Sequence, residues 1–415
     1  MKQDTDACFA DTVGPGGIVR AEFEKLLPEA GRALDRLSRA RTDGTPPFLA
    51  LPDARDDLAE LQALAEAWRA RYRRLVVLGT GGANLGGQAL AATGADNERL
   101  LFLDNGDGDR LDRVLGSSDL DRTGFLVISK SGATAETLAQ AILALGSAKS
   151  EAVTVITQPG DSPARRLAAR FGLPVLDHDP KLGGRYSALS LVGLLPAMFA
   201  GVDGAAARSG AQAVLADALE APVPEYSTPA VGAALAVAAM QAWPAATMVL
   251  MPYGPNLHSL GLWYRQLWAE SLGKDGLGST PILAPGPVDQ HSQLQLFLDG
   301  PGGNLFTILE APDPTPRRVD AALAEEIGAG YLGGRTMGEL IAAQARATTA
   351  MLTGAGRPVR RLSVPAADAR AVGGLMMHFM LETVVAAHLL GVDPFDQPAV
   401  ERGKGLVRHD LGSKP

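Results

Sequence analysis

Gln266 and Glu270 are four residues apart in Gln266-Leu-Trp-Ala-Glu270-Ser271-Leu-Gly273-Lys274, and the apolar spacing around them predicts a helix with both on one face. A carboxylate among Leu262, Trp263, Leu267 and Trp268 is expected to be partly desolvated, which makes it a better base. The turn Asp289-Gln290-His291-Ser292 follows, and His291 is a side chain able to shuttle a proton near neutral pH. A base and a proton shuttle are the equipment of acid–base chemistry.

Gly183-Gly184-Arg185-Tyr186-Ser187 places a guanidinium between two glycines and the predicted apolar helix Ala188–Phe199. A fixed guanidinium there can stabilise negative charge on a reacting oxygen, and a structural ion pair is the competing reading. Ser129-Lys130-Ser131-Gly132-Ala133-Thr134-Ala135-Glu136-Thr137 follows the apolar run Phe125–Ile128 and precedes a helical stretch. Its hydroxyls, backbone N–H groups and helix N-terminus suit a phosphate monoester, although a simple helix cap needs only one hydroxyl. Gly79-Thr80-Gly81-Gly82-Ala83-Asn84 is a second turn of this kind, after Leu75–Leu78. It departs from the dinucleotide pattern G-x-G-x-x-G, because Asn84 stands at the third glycine, while Asp104 keeps a ribose-binding reading open. A plain glycine turn packing a helix onto a sheet competes equally. Phe395-Asp396-Gln397-Pro398-Ala399-Val400-Glu401-Arg402-Gly403-Lys404 is an ordered-looking tail, in which Lys404 reads by spacing as a surface charge.

His178, His258, His378, His388 and His409 are weaker candidates, and His378 and His388 read as core histidines on an apolar helix. No H-E-x-x-H or similar ligand spacing occurs, so a metal site is not expected.

The elements that must position these residues alternate. Residues 17–71 read as helical, with Leu26, Leu27, Ala30, Leu34 and Leu37 at helical spacing. Strand-like runs follow at Leu75–Leu78, Leu100–Leu103, Phe125–Ile128 and Val153–Ile156, then a helical middle, then Thr247–Met251, Pro281–Ala284, Leu305–Leu309 and Val359–Val364. Alternation of strands and helices implies βαβ units and parallel sheets covered on both faces. The expected architecture is α/β, with two doubly wound halves. The units are a helical segment at 1–71, a first α/β domain at 72–186, a helical connection at 187–242, a second α/β domain at 243–390 and a helical tail at 391–415.

The chain has 415 residues, 46 of them acidic and 38 basic, for a net charge of −8. That balance argues against nucleic acid as a partner, and a negative substrate needs a local positive site. Cys8 is the only cysteine, which excludes a disulfide framework. Residues 1–19 carry Asp4, Asp6 and Asp11 and no apolar run, so no signal peptide is expected and the compartment reads as cytoplasmic. Ala230–Met251 is apolar enough to suggest a membrane span, but Pro244 divides it, and a buried helix followed by a buried strand is the preferred reading.

Taken together, the GTGG turn, SKSGATAET, GGRYS, QLWAESLGK with DQHS, and FDQPAVERGK resemble the phosphoglucose isomerase (glucose-6-phosphate isomerase) family, in order, over about residues 75–405. The resemblance implies two sugar-isomerase (SIS-type) domains and reversible aldose–ketose isomerisation of glucose 6-phosphate and fructose 6-phosphate through a cis-enediol, a step of glycolysis and gluconeogenesis. It assigns the base to Glu270, charge stabilisation to Arg185, and ring opening to His291 with Lys404. This preferred reading, an isomerisation by acid–base groups, expects no cofactor. It places the phosphate on Ser129, Lys130, Ser131 and Thr134, and the rest of the substrate near Gly81, Gly82, Gln266 and Gln397. It also implies a homodimer in which His291 reaches the neighbouring subunit's site. Ala83 departs from the family's G-G-S turn and removes one hydroxyl. Two other classes stay open on residues alone: a sugar-phosphate sensor without turnover, and a nicotinamide oxidoreductase using the Gly79 turn and Asp104.

Overall fold

Runs such as Leu75–Leu78 and Phe125–Ile128 are apolar on both faces, and a parallel sheet covered by helices buries both. The computed structural model describes residues 1–412 and contains two five-stranded sheets. The ten strands are β1 (Lys2–Asp4), β2 (Arg74–Leu78), β3 (Leu100–Leu103), β4 (Thr123–Ile128), β5 (Val153–Thr157), β6 (Val175–Asp177), β7 (Thr247–Tyr253), β8 (Thr280–Leu283), β9 (Asn304–Glu310) and β10 (Val359–Ser363). The first sheet runs β3-β2-β4-β5-β6, parallel throughout, with Val76 opposite both Leu101 and Phe125. The second runs β1-β10-β9-β7-β8 and is parallel except for β1, which lies antiparallel to β10.

The two-residue period of a strand sorts the core. Leu75 and Val77 of β2 join Leu250, Leu305 and Leu362 of the second sheet in one continuous apolar cluster, built around the intervening helices. Val76 and Leu78 face the opposite way into a cluster of the first sheet's outer helices, and Val249, Met251 and Phe306 do the same in the second. The helix Ala369–Leu390 packs between these layers against Gly204–Leu219, Thr228–Ala242 and His258–Leu272. It is long and apolar enough to cross a membrane, but 89% of its apolar window is buried in protein. The uncharged stretch 226–264 resolves as read from the sequence, into the buried helix Thr228–Ala242 followed by β7.

Three features differ from expectation. The helical reading of 17–71 splits into Arg20–Thr42 and Leu58–Arg71, because Gly44, Pro46, Pro47 and Pro52 cluster in the interval and favour turns, whereas a single Pro28 is accommodated inside the first helix. β6 is only three residues long and half exposed, which leaves little periodic signal. β1 is polar and is held by a long-range partner: Gln3 Oε1 accepts from Arg360 Nε at 3.0 Å and Nη2 at 2.7 Å.

Candidate active site

In an open parallel sheet the ligand crevice forms outside the carboxyl ends of the strands, where the strand order reverses. In the first sheet the chain runs from β2 to β3 on one side and then to β4 on the other, so the reversal lies between β2 and β4. The Gly79–Gly82 turn leaves β2 and the Ser129–Thr134 loop leaves β4, so both flank this crevice. Ser129 is buried, and its Oγ and the Thr134 Oγ1 are 2.9 Å apart. Thr134 precedes the helix Ala135–Leu145 but caps it with no side-chain bond. Lys130 is half-buried; burial pushes its ammonium below the usual lysine range, against the opposing charge of Asp179. Its carbonyl is fixed by Gln158 N at 3.0 Å and Thr157 Oγ1 at 3.2 Å, while Ser131 is exposed.

Gly82 is required by a close approach. A Cβ there would stand 2.3 Å from the carbonyl carbon of Gly184, so the glycine turn lies directly against the short 3₁₀ helix Gly184–Tyr186. That contact sets Arg185 beside the crevice, with its side chain only 3% exposed. The helix His258–Leu272 brings in the second half of the site after β7. At about 1.5 Å per residue, it carries Glu270 about 18 Å from its first residue. Arg185 Nη1 donates to Glu270 Oε2 at 3.3 Å, and Gln266 Nε2 donates to Glu270 Oε1 at 3.0 Å. Gln266 Oε1 is buried without a partner, a polar atom facing no protein donor among the described residues. The expected desolvation of Glu270 is partial. Trp263, Leu267 and Trp268 are buried on the helix's core face, whereas the Glu270 side chain stays 28% exposed toward the crevice.

The tail also reaches Arg185. Gln397 Oε1 accepts from Nη1 at 2.7 Å, and the carbonyls of Pro394 and Asp396 accept from Nη2 at 2.6 and 2.9 Å. Lys404 lies in the exposed helix Pro398–Gly412, seven residues beyond Gln397. Thus Gly81, Gly82, Arg185, Gln266, Glu270 and Gln397 form one connected group, with Ser129, Lys130, Ser131 and Thr134 across the crevice mouth. His291 is not in that group. It ends the short helix Val288–His291, is exposed, and makes no ring hydrogen bond among the described residues. Gln290 ties this turn to the helix Met337–Gly354 through the Gln344 carbonyl at 3.2 Å and through Thr348.

Sequence reasoning passed over Ser271, whose Oγ accepts from Arg185 Nε at 2.9 Å and lies 3.1 Å from the Tyr186 hydroxyl. Its place beside Glu270 was the available signal. The ribose-binding reading of Asp104 meets a competitor: Gln88 Nε2 donates to its carboxylate at 3.0 Å, and Thr80 Oγ1 to its carbonyl at 2.9 Å. His378 is a core histidine, as its apolar helix suggests, fully buried between Arg360, Glu382 and Thr228. Among the described residues no group of three or more His, Cys, Asp or Glu comes together as a metal site. Surface cavities lined by Trp243, Asn304 and Arg357, and by Arg74, Arg110 and Arg113, open at the amino ends of the strands, away from this chemistry.

Comparison with known proteins places the chain in a family. The phosphoglucose isomerase family model matches residues 64–281. A glucose-6-phosphate isomerase of Rubrobacter xylanophilus is 37% identical over 417 residues, covering 96% of this chain and 95% of its own. The crystal structure of a hypothetical protein from Thermus thermophilus matches with a TM-score of 0.86 at 34% identity, covering 99% of this chain and 100% of that one. A glucose-6-phosphate isomerase from Chlamydia trachomatis shares the fold with a TM-score of 0.73 at 24% identity, covering 86% of this chain and 73% of its own. The chain belongs to the phosphoglucose isomerase family.

Proposed function

We infer that this chain catalyses the reversible aldose–ketose isomerisation of glucose 6-phosphate and fructose 6-phosphate, the activity its relatives are named for. The observation that carries the reading is the contact between Arg185 and Glu270, which joins the anion-suited crevice of the first sheet to a carboxylate delivered from the second half. The two doubly wound sheets are the SIS-type pair that the family implies.

In the proposed mechanism Ser129, Lys130, Ser131 and Thr134 hold the phosphate, so that binding energy far from the reacting carbons orients them. His291, with Lys404, opens the ring by moving a proton between the ring oxygen and the anomeric hydroxyl. Glu270 takes the proton from C2 of the open aldose, giving a cis-enediol, and returns it to C1 to give the ketose. A second proton passes between the two oxygens, and Arg185 stabilises the negative charge on the enediolate as it develops. Gln266 orients Glu270, Gln397 shares the guanidinium edge, and the backbone of Gly81 and Gly82 lines the sugar. We further propose that His291 acts in the site of a second copy. An exposed imidazole outside the connected group supports a homodimer of this geometry. The division at 1–71, 72–186, 187–242, 243–390 and 391–415, and a cytoplasmic location, belong to the same proposal.

Fructose 6-phosphate turnover, coupled to NADP reduction by an added dehydrogenase, tests the reading. A positioned general base is worth about 10²–10⁴ in rate, so Glu270→Gln should lose at least that factor while remaining folded. Turnover near wild type in Glu270→Gln, or NADP reduction without the coupling enzyme, would sink it. Mixing Glu270→Gln with His291→Ala should restore about a quarter of wild-type activity if the sites are shared in dimers, since half the dimers then hold one intact site. Absence of any recovery after subunit exchange would remove the shared site.

A further inference from the structure

The guanidinium of Arg185 has five N–H groups, and all five are engaged. Nε donates to Ser271, Nη1 to Glu270 and Gln397, and Nη2 to the carbonyls of Pro394 and Asp396. An oxygen of the substrate therefore reaches Arg185 only by displacing one of these acceptors. The two edges differ in how they release. The acceptors on Nη1 are side chains, which change rotamer locally, and the Glu270 contact is the longest of the five at 3.3 Å. The acceptors on Nη2 are main-chain carbonyls, which leave only if residues 393–397 move.

Lys274 holds those residues in place. It lies just past the helix that carries Glu270 and Ser271, with its side chain 10% exposed. Its Nζ donates to the Ser271 carbonyl at 3.1 Å, to the Asp393 carbonyl, and to the Asp396 carboxylate at 2.8 Å. One ammonium thus ties the turn supplying the Nη2 acceptors to the helix end supplying the Nε acceptor. Phe395 packs on the opposite side, 5.3 Å from the Tyr186 ring.

We propose that Lys274 is a positioning residue for the isomerisation: by pinning Asp393 and Asp396 it locks the Nη2 edge of Arg185 and leaves Nη1 as the edge handed from Glu270 and Gln397 to the substrate. The exchange does two jobs at once, because the bond that frees a donor for the enediolate oxygen also frees the carboxylate that moves the proton. The proposal rests on the reading of Arg185 and Glu270 given above.

The test uses the full chain with Lys274→Met, Lys274→Arg and Asp396→Asn. Each is assayed for kcat and KM with fructose 6-phosphate, for inhibition by inorganic phosphate, and for binding of a five-carbon aldonohydroxamate 5-phosphate, whose planar anion imitates the enediolate. A misaligned guanidinium acts on the transition state, and displacement on the ångström scale costs about 10²-fold. Lys274→Met should therefore lower kcat about 10²-fold and weaken the hydroxamate by a similar factor, with KM and phosphate inhibition within about twofold of wild type. Lys274→Arg, which can donate to the same three acceptors, should recover most of the loss. Asp396→Asn keeps the carbonyl that Arg185 uses and should show a smaller effect in the same direction. A folded Lys274→Met with wild-type kcat overturns the proposal. So does loss of kcat, phosphate inhibition and thermal midpoint together, or a Lys274→Arg no better than Lys274→Met. A wild-type protein that binds the hydroxamate no better than phosphate, and turns nothing over, fails earlier and overturns the reading of the site itself.

Discussion

The two sheets share a plan and use it differently. Each reverses its strand order once, between β2 and β4 in the first and between β7 and β9 in the second. Each reversal is followed by a glycine-bearing turn at the carboxyl end, Gly79–Gly82 in one and Gly254–Leu257 in the other. In the first the crevice is left open and rimmed by the hydroxyls of Ser129, Ser131 and Thr134. In the second the chain fills its own crevice. Gly254, with φ of 150°, sits where a Cβ would stand 2.6 Å from the Ala311 carbonyl oxygen, and Ala311 N donates to Tyr253 O at 2.9 Å. The helix that starts beyond this closed turn carries Gln266 and Glu270 across to the other crevice. Repeating a fold therefore does not repeat its site: in the proposed mechanism the first half holds the substrate and the second delivers the base.

The sharpest way to break that contrast is to remove a hydroxyl from the open crevice. A hydrogen bond to a charged group is worth about 1.5–3 kcal/mol, so Thr134→Ala should raise KM for fructose 6-phosphate by about 10–100-fold. Its kcat should change far less; no side-chain helix cap is lost, and the lost contact with the Ser129 hydroxyl should cost only about 0.5–1.5 kcal/mol of stability. Steady-state kinetics beside a melting curve separates the two. An unchanged KM would mean that the first crevice is no more an anion cradle than the second.

What was legible in the sequence was what local chemistry labels. Gln266 and Glu270 share a helix face, the hydroxyls of SKSGAT cluster within one loop, and Arg185 stands in a glycine turn, so type and spacing singled these residues out, while their assigned roles came from the family resemblance. The acceptors around Arg185 were not legible, because carbonyls of Pro394 and Asp396 are the same atoms in every residue and only folding aims them. Lys274 was inside a quoted motif, yet two of its three partners lie in the tail, more than a hundred residues on. β1 gave no apolar signal because its ladder is secured by Arg360, 357 residues away from Gln3. The bearing of Glu270 was half legible: its apolar neighbours predicted burial of the helix, but a helix has two faces and the carboxylate is on the open one.

The mirror experiment acts on the closed crevice. Gly254→Ala forces a Cβ against the Ala311 carbonyl from a backbone angle that side chains rarely adopt. Overpacking of this kind costs about 1–3 kcal/mol, so chemical denaturation should show that loss. Activity per folded molecule and KM should stay at wild type, because Ala311 already occupies the space beside Gly254. A raised KM with unchanged stability would show instead that the second crevice also meets ligand, and the contrast would fail from the other side.

The smallest effect expected concerns where each half keeps its charges. The second half buries Arg360, His378 and Glu382 together, with Arg360 donating to both Glu382 oxygens at 2.8 and 2.7 Å, and His378 Nε2 at 2.9 Å from Glu382. Burial alone would raise the Glu382 carboxyl, but Arg360 and His378 outweigh it and hold it at about 2, while burial pushes the His378 imidazole below its ordinary 6.5. Below pH 6.5 the unfolded chain therefore binds a proton at His378 that the folded chain refuses. Burial lowers His178 in the first half as well, so that loss is common to both sheets. Below pH 4.5 the unfolded chain also protonates Glu382, and the stability its depressed pKa contributes is lost as pH falls toward about 2. Both signs agree, and each group contributes at most about 1.4 kcal/mol per pH unit. Hydrogen exchange should show protection falling in both sheets from pH 6.5 to 4.5, then faster in β10 and the helix Ala369–Leu390 than in β2 and β4. Earlier loss in β2 and β4 over that lower range would place the acid-sensitive charges in the first half instead, and not with Glu382, which stays ionised inside the protein only through Arg360 and His378.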